Sequence, residues 1–115
     1  MKRDMDLIRE ILLEIERSPD PFYSKDIELE NYSQDMINFH IMLLSQAGLI
    51  NATNVSAHDD IQWIPNYITW GGYEFLNAAR DDKRWNQAKE ITSKLGGFVF
   101  DVVKAYLIEL MLKGI

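Results

Sequence analysis

Apolar residues recur at helical spacing in five separate segments of this chain, and the stretch around residues 49–68 is typical of strands. The first helical segment follows Asp4, a suitable N-cap, and ends where Pro19 and Pro21 remove backbone donors. After the prolines, segment 22–32 is mixed, and Ile27 and Leu29 alternate with acids, which predicts a short edge strand. This order of elements predicts an α+β fold with one small β-hairpin.

The middle of the chain has the signals of a helix that leads into this hairpin. Ser33 is a suitable N-cap for the second helix. Gly48 is a natural residue to follow its end, because glycine adopts positive φ without strain. We expect an extended segment to begin at 49–50, a polar hairpin loop over 51–60 and a return strand over 61–68.

Three further helices are predicted after the hairpin. Thr69 caps the third helix, which runs to about Arg80. Asp81 is expected to end the third helix, and Asp82 is expected to cap the fourth. Gly96-Gly97 then breaks the chain, and the fifth helix covers residues 98–112.

The charge of the chain is concentrated in its middle. The 115 residues carry a formal net charge of −6, yet residues 18–79 hold eight acids and one base. This acidic stretch should repel polyanions at long range.

The chain has no cysteine, which excludes disulfides, thiolate nucleophiles and Cys-ligated zinc. With no signal-peptide pattern and no long apolar run, a cytoplasmic location is expected.

Few residues have the spacing that catalysis or cofactor binding requires. His40 falls on an apolar helix face, which favours a core histidine over a base or a ligand. His58-Asp59-Asp60 is a run of metal-capable groups, but adjacent loop residues rarely all point at one ion. No glycine-rich phosphate loop or triad signature is present. We therefore expect no enzymatic activity, no metal, no cofactor and no small-molecule substrate.

Two segments carry a resemblance to known proteins. They are HIMLLSQAGLI at 40–50 and ITWGGYEFLNAARDD at 68–82. A helix ending in Gly-Leu-Ile, a polar hairpin and a Thr-x-x-Gly helix start resemble a winged-helix domain. The resemblance implies a winged-helix-like core over residues 1–80, with a small β-hairpin wing. Residues 81–115 would then form a C-terminal helical extension that packs on this core.

A wider set of segments resembles one particular family. The opening MKRDMDLIR, NYS at 31–33, the two segments above and Trp85-Asn86 are together similar to an uncharacterised family of small proteins. That family is described only as a domain of unknown function and is common in phages and prophages. The resemblance covers nearly the whole chain. It implies a phage or prophage setting and no particular reaction.

DNA binding is one function that a winged-helix fold implies. The second helix offers polar residues that could read bases but contains no Lys or Arg. These candidate readers are Ser33, Gln34, Asn38 and Gln46. The cations lie later in the chain, and the candidate nucleic-acid surface consists of Arg80, Lys83, Arg84 and Lys89. The alternative is a salt-bridged face that uses the neighbouring acids.

The fifth helix is apolar over about 220° of its circumference, which is wider than a single core-facing stripe. One side can pack on its own domain, and the other requires cover. Self-association through Phe100, Val103, Leu107 and Met111 is the first hypothesis. Full burial in the monomer is the first alternative. Contact with a lipid surface is the second, but the polar face of the helix is not rich in Lys or Arg, so no membrane association is expected.

Aromatic residues are dense after the hairpin loop, at Trp63, Tyr67, Trp70 and Tyr73. They either fill the core of a small domain or form an exposed patch that contacts a protein partner. Together with the acidic middle, they favour a non-enzymatic adaptor or inhibitor that binds a protein. The alternative is a winged-helix DNA-binding regulator. The expected partners are therefore a second copy or another protein, or else DNA.

Overall fold

The computed structural model describes residues 1–94 and 99–114, and it confirms an α+β chain. The elements are α1 (Met5–Glu16), α2 (Gln34–Gln46), β1 (Ile50–Asn54), β2 (Trp63–Ile68), α3 (Trp70–Ala79), α4 (Asp82–Lys94) and α5 (Phe100–Leu112). The chain divides into two compact units, the first covering Met1–Tyr73 and the second beginning at Glu74. The boundary predicted from the sequence, after residue 80, lies further along the chain, just after the end of α3.

A buried histidine joins the two helices of the first unit. The Asp4 side chain caps α1 by accepting a hydrogen bond from the Leu7 amide at 3.2 Å. The Asp4 amide in turn donates to Nε2 of His40 at 2.8 Å, and Nδ1 of this ring lies 2.8 Å from the Met36 carbonyl. Nε2 is thus an acceptor, so the proton is on Nδ1 and the ring is neutral. His40 is fully buried, as predicted, with both of its nitrogens bonded.

The end of α2 sets the direction of the first strand. Ser33 caps the start of this helix through the Met36 amide at 3.2 Å. At its end, the Gly48 amide donates to the Ser45 carbonyl and the Leu49 amide donates to the Leu44 carbonyl. This pair of bonds is a Schellman motif, and Gly48 has the φ of +75° that the motif requires. The chain therefore enters β1 directly after the helix.

The hairpin differs from its prediction in length. β1 and β2 pair antiparallel, with a bulge where Asn51 faces Tyr67 and Ala52 faces Pro65. Strand β1 continues to Asn54, so the polar residues expected in a loop belong to the sheet. Their side chains form hydrogen bonds across the strands, because the side-chain Nδ2 of Asn66 donates to Asn51 Oδ1 at 2.8 Å and to Thr53 Oγ1 at 3.0 Å.

The edge strand predicted over 22–32 does not form. The Tyr23 amide donates to the Asn66 carbonyl at 2.6 Å, and the Ser24 amide donates to the Pro65 carbonyl at 2.9 Å. The chain then turns away, because Ser24 has a φ of +45°, which is incompatible with an extended strand. Ile27 is fully buried beyond this turn. The prediction was wrong because the alternating pattern gave no sign of the turn.

Helix α3 starts in close contact with the end of α2 and the start of β1. The Thr69 hydroxyl accepts a hydrogen bond from the Gly72 amide at 3.1 Å and donates to the Gly48 carbonyl at 2.6 Å. A Cβ at position 72 would lie 2.0 Å from the Leu49 carbonyl oxygen, whereas one at Gly71 would meet nothing closer than 4.0 Å. Only Gly72 is therefore required for this approach.

The second unit is built on aromatic contacts. Phe75 packs edge-on against the buried Trp85 at a centroid distance of 6.2 Å, and its ring lies 4.9 Å from that of Phe100. Asp81 caps α4 through the Arg84 amide at 2.9 Å, so the prediction that Asp82 is the cap was wrong.

Some predicted features of the second unit lie outside the described residues. They are the break at Gly96-Gly97 and the predicted first residue of the last helix, Phe98. Within residues 1–94 and 99–114, no helix has the length and apolar character needed to cross a bilayer.

Candidate functional site

The first unit contains an apolar groove, which we call the aromatic groove, with a volume of about 510 Å³. Its lining residues come from the end of α1, the segment that follows, the end of β2 and the first turn of α3. They are Ile15, Glu16, Ser18, Asp20, Pro21, Phe22, Tyr67, Ile68 and Tyr73. A volume of this size is within the range of pockets that hold small ligands or single side chains of a partner.

The aromatic residues at this groove are unusually exposed. Phe22 is 60% exposed, Tyr67 38% and Tyr73 42%. Phe22 and Tyr67 make an edge-to-face contact at a centroid distance of 5.8 Å, so their positions are fixed relative to each other. Trp70 lies one helical turn before Tyr73 and is 83% exposed. This much exposed aromatic surface in one region is typical of an interaction site.

Local geometry explains why these rings point outward. Tyr67 alternates with the buried Ile68 on β2, so the two side chains point to opposite faces of the strand. On α3, Phe75 and Leu76 are buried, and Trp70 and Tyr73 lie on the other side of the helix. The prediction left a core and an exposed patch open for the aromatic cluster. The structure exposes Tyr67, Trp70 and Tyr73, whereas Trp63 is half-buried.

Sequence reasoning missed Phe22, which follows the two prolines and has no periodic pattern around it. It did include Trp70 and Tyr73 but did not assign them to a face. A helical wheel separates each of them from Phe75 by about 140–160°. That angle was the available signal that both rings lie opposite the buried side of α3.

The surroundings of the groove are acidic. Glu16 and Asp20 line it, and no Lys or Arg does. Tyr23, next to Phe22, has its pKa raised above 10.0, first by burial and then by the carboxylates of Glu14 and Glu28. Burial likewise raises the pKa of Tyr32, with smaller contributions from carboxylates on α1 and before it. Burial is thus the larger cause of both raised pKa values, and nearby carboxylates add to it.

A second cleft of about 300 Å³ lies in the same unit and is polar. It is lined by Asp26, Glu28, Gln34, Asp35, Asn38, Asp60, Ile61 and Gln62. Among the described residues, no group of three or more His, Cys, Asp or Glu side chains is placed to hold a metal ion. His58, with a φ of +47°, belongs to the tip of the hairpin rather than to this lining.

Three of the four candidate base readers have structural roles. Asn38 is 3% exposed, and its Oδ1 accepts the Trp63 amide at 2.8 Å while its Nδ2 donates to the Gln34 carbonyl. The Gln34 side chain donates to the Ile27 carbonyl at 3.0 Å. Ser33 is the cap of α2, which leaves Gln46 as an exposed polar side chain at the other end.

The candidate nucleic-acid surface is divided between exposed and buried cations. Arg84 is 9% exposed, and its guanidinium donates to the Ala78 carbonyl at 2.7 Å and to the Asn77 carbonyl at 3.2 Å. A cation at these terminal carbonyls stabilises the end of α3. Arg80 is exposed and bonds to the Asn77 side chain at 2.8 Å. Lys83 is exposed and Lys89 is half-buried.

The residues predicted to mediate self-association also differ in exposure. Val103 is 1% exposed and Leu107 0%, so neither is accessible to a second copy. Phe100 is half-buried against Phe75, and Met111 is 36% exposed. The most exposed apolar side chains of α5 are instead Val102 at 53% and Leu112 at 80%. Self-association of α5 stays a prediction, and these two residues are where it can be tested.

Comparison with known proteins places the chain in a family. Residues 2–98 match the family model described as a hypothetical protein, DUF2513. An uncharacterized protein of Haemophilus influenzae is 36% identical over 113 residues, which covers 90% of this chain and 90% of that protein. No solved structure matches the chain. The match to the family model extends over most of the sequence, and the chain therefore belongs to the DUF2513 family of hypothetical proteins.

Proposed function

We propose that this protein is a non-enzymatic adaptor or inhibitor that binds another protein through the aromatic groove. The observation that carries the proposal is the exposure of Phe22, Tyr67 and Tyr73 in the lining of the groove, with the exposed Trp70 one helical turn before Tyr73. The occupant that fits is a short segment of a partner protein that inserts one side chain into the groove. Such an insertion would remove the exposed rings from water.

The composition of the groove supports this role energetically. Tyrosine and tryptophan are the residues that most often dominate binding free energy at protein interfaces. Their side chains bury a large area while few rotatable bonds are restricted. The Phe22–Tyr67 contact further reduces this cost, because both rings are already held in the free protein.

We also propose a winged-helix-like arrangement for the first unit. The order helix, irregular segment, helix, strand, hairpin loop and strand supports it, and Tyr23 and Ser24 of the irregular segment donate hydrogen bonds to carbonyls of β2. It departs from the usual winged helix between this segment and α2, where the chain forms only a turn near residues 30–32. A phage or prophage setting and a cytoplasmic location belong to the same proposal.

A selection from a random heptapeptide display library tests the protein-binding proposal. The wild-type chain should enrich a defined set of peptides, and Trp70→Ser and Tyr67→Ser should each lose them. Val55→Ser is the matched control, because Val55 is 44% exposed in the same unit but lies on the hairpin loop. Peptides that bind all four chains equally would show that the groove is not the docking site.

The alternative proposal is a DNA-binding regulator, supported by the exposed cations Arg80 and Lys83 of the second unit. Fluorescence anisotropy with a labelled duplex at low salt, followed by a salt titration, distinguishes the two proposals. Binding that falls steeply with salt and is lost in an Arg80→Glu, Lys83→Glu double variant would favour the regulator. Lys104→Glu with Lys113→Glu is the charge-matched control, because it replaces two other cations of the second unit. An absence of binding at low salt would favour the protein-binding proposal.

A further inference from the structure

The charge of the aromatic groove indicates what kind of segment it binds, if the proposed function is correct. The two charged residues of its lining, Glu16 and Asp20, are both acidic. The whole first unit, Met1–Tyr73, has twelve acids and five bases and so a net charge of −7. From Glu74 onward the chain has six acids and seven bases, so the negative charge resides on the unit that holds the groove.

The rings and carboxylates together suit a cation rather than a neutral side chain. The face of a tyrosine or tryptophan ring attracts a cation within about 6 Å of its centroid. This pairing already occurs beside the groove, where the Lys25 ammonium lies 4.9 Å from the centroid of the Tyr23 ring. A carboxylate next to such a ring adds a charge-assisted hydrogen bond to the same cation.

We propose that the aromatic groove binds an arginine-containing segment of the partner protein. The planar guanidinium stacks on an aromatic face and presents several N–H donors to carboxylates, which a lysine ammonium does less well. Its aliphatic stem packs on the apolar walls formed by Ile15 and Ile68. Glu16 and Asp20 accept hydrogen bonds from the guanidinium, and the tyrosine rings provide the stacking surface.

The test uses the heptapeptides enriched by the wild-type chain in the display selection. Arginine should be over-represented among them relative to the starting library. The best peptide is then synthesised with arginine, lysine or citrulline at the same position, because citrulline keeps the shape and loses the charge. Citrulline should weaken binding by about tenfold or more, with lysine intermediate. A Glu16→Gln, Asp20→Asn double variant should lose this preference.

The control is Glu30→Gln with Asp59→Asn, which removes the same charge from exposed positions of the same unit outside the groove lining. It should keep the arginine preference. Groove-dependent peptides that lack arginine, or equal binding of the arginine and citrulline peptides, would overturn this inference and leave the proposed function intact. If no peptide depends on Trp70 or Tyr67, the proposed function fails, and the inference fails with it.

Discussion

Replacing Gly72 with alanine should strongly destabilise the first unit. The added Cβ would lie 2.0 Å from the Leu49 carbonyl oxygen and 2.7 Å from Cγ2 of Ile68. A carbon and a carbonyl oxygen approach to about 3.3 Å at the closest, so the start of α3 must move by about 1.3 Å. That movement breaks the 3.0 Å hydrogen bond from the Thr69 amide to the Leu49 carbonyl. The Thr69 hydroxyl loses its bond to the Gly48 carbonyl by the same displacement.

The size of the effect follows from these contacts. Each of the two hydrogen bonds contributes about 1 kcal/mol, and forcing a group into a packed region costs about 1–3 kcal/mol. Alanine recovers at most about 1 kcal/mol through its higher helix propensity. We therefore expect Gly72→Ala to lower the free energy of unfolding by about 3 kcal/mol. Gly71→Ala should raise it by about 0.5 kcal/mol, because a Cβ there has open space.

Urea unfolding followed by far-UV circular dichroism measures both changes, and Gly71→Ala is the control for helix propensity. Because Gly72 fixes the start of α3, its replacement should also move Tyr73 relative to Tyr67 and weaken peptide binding in the aromatic groove. A Gly72→Ala chain as stable as Gly71→Ala would refute the close approach of α3 to Leu49.

Three further predictions concern other parts of the chain. Arg84→Ala should lower the unfolding free energy by about 2 kcal/mol, because two carbonyls of α3 lose a charged donor, and unchanged thermal unfolding would contradict this. Glu28→Gln should lower the pKa of Tyr23 toward 10.0 in an absorbance titration, although burial, the larger cause, keeps it raised. Since the folded-state pKa is raised, this phenol stabilises the fold below pH 10.0, and that stability is lost as pH rises through the folded pKa. In α5, Leu107→Asp should unfold the second unit by burying a charge, whereas Val102→Asp should leave the fold intact and dissociate any dimer. Light scattering that finds wild type and Val102→Asp at the same mass would contradict self-association through this face.

The start of α1 and both ends of α2 could be predicted because they depend on neighbours in sequence. Asp4 and Ser33 each bond to an amide three residues later, and Gly48 is followed by the two bonds that close α2. These interactions need no information about distant parts of the chain. The extent of β1 could not be predicted in this way. Its polar side chains are stabilised by Asn66, which lies thirteen to fifteen positions later. Without that long-range contact, a run of polar residues predicts a loop.

The candidate sites show the same division between local and long-range information. The helical spacing of α3 places Trp70 and Tyr73 on the face opposite its buried residues, so the exposure of both could have been predicted from the sequence alone. It does not contain the position of Phe22, which is set by its contact with Tyr67, forty-five positions later. Arg84 is the converse case, because its charge predicted a surface residue, while its guanidinium caps the carbonyls of the preceding helix. A charged or aromatic residue type therefore indicates a site only after the contacts that could hold it inside the fold have been examined.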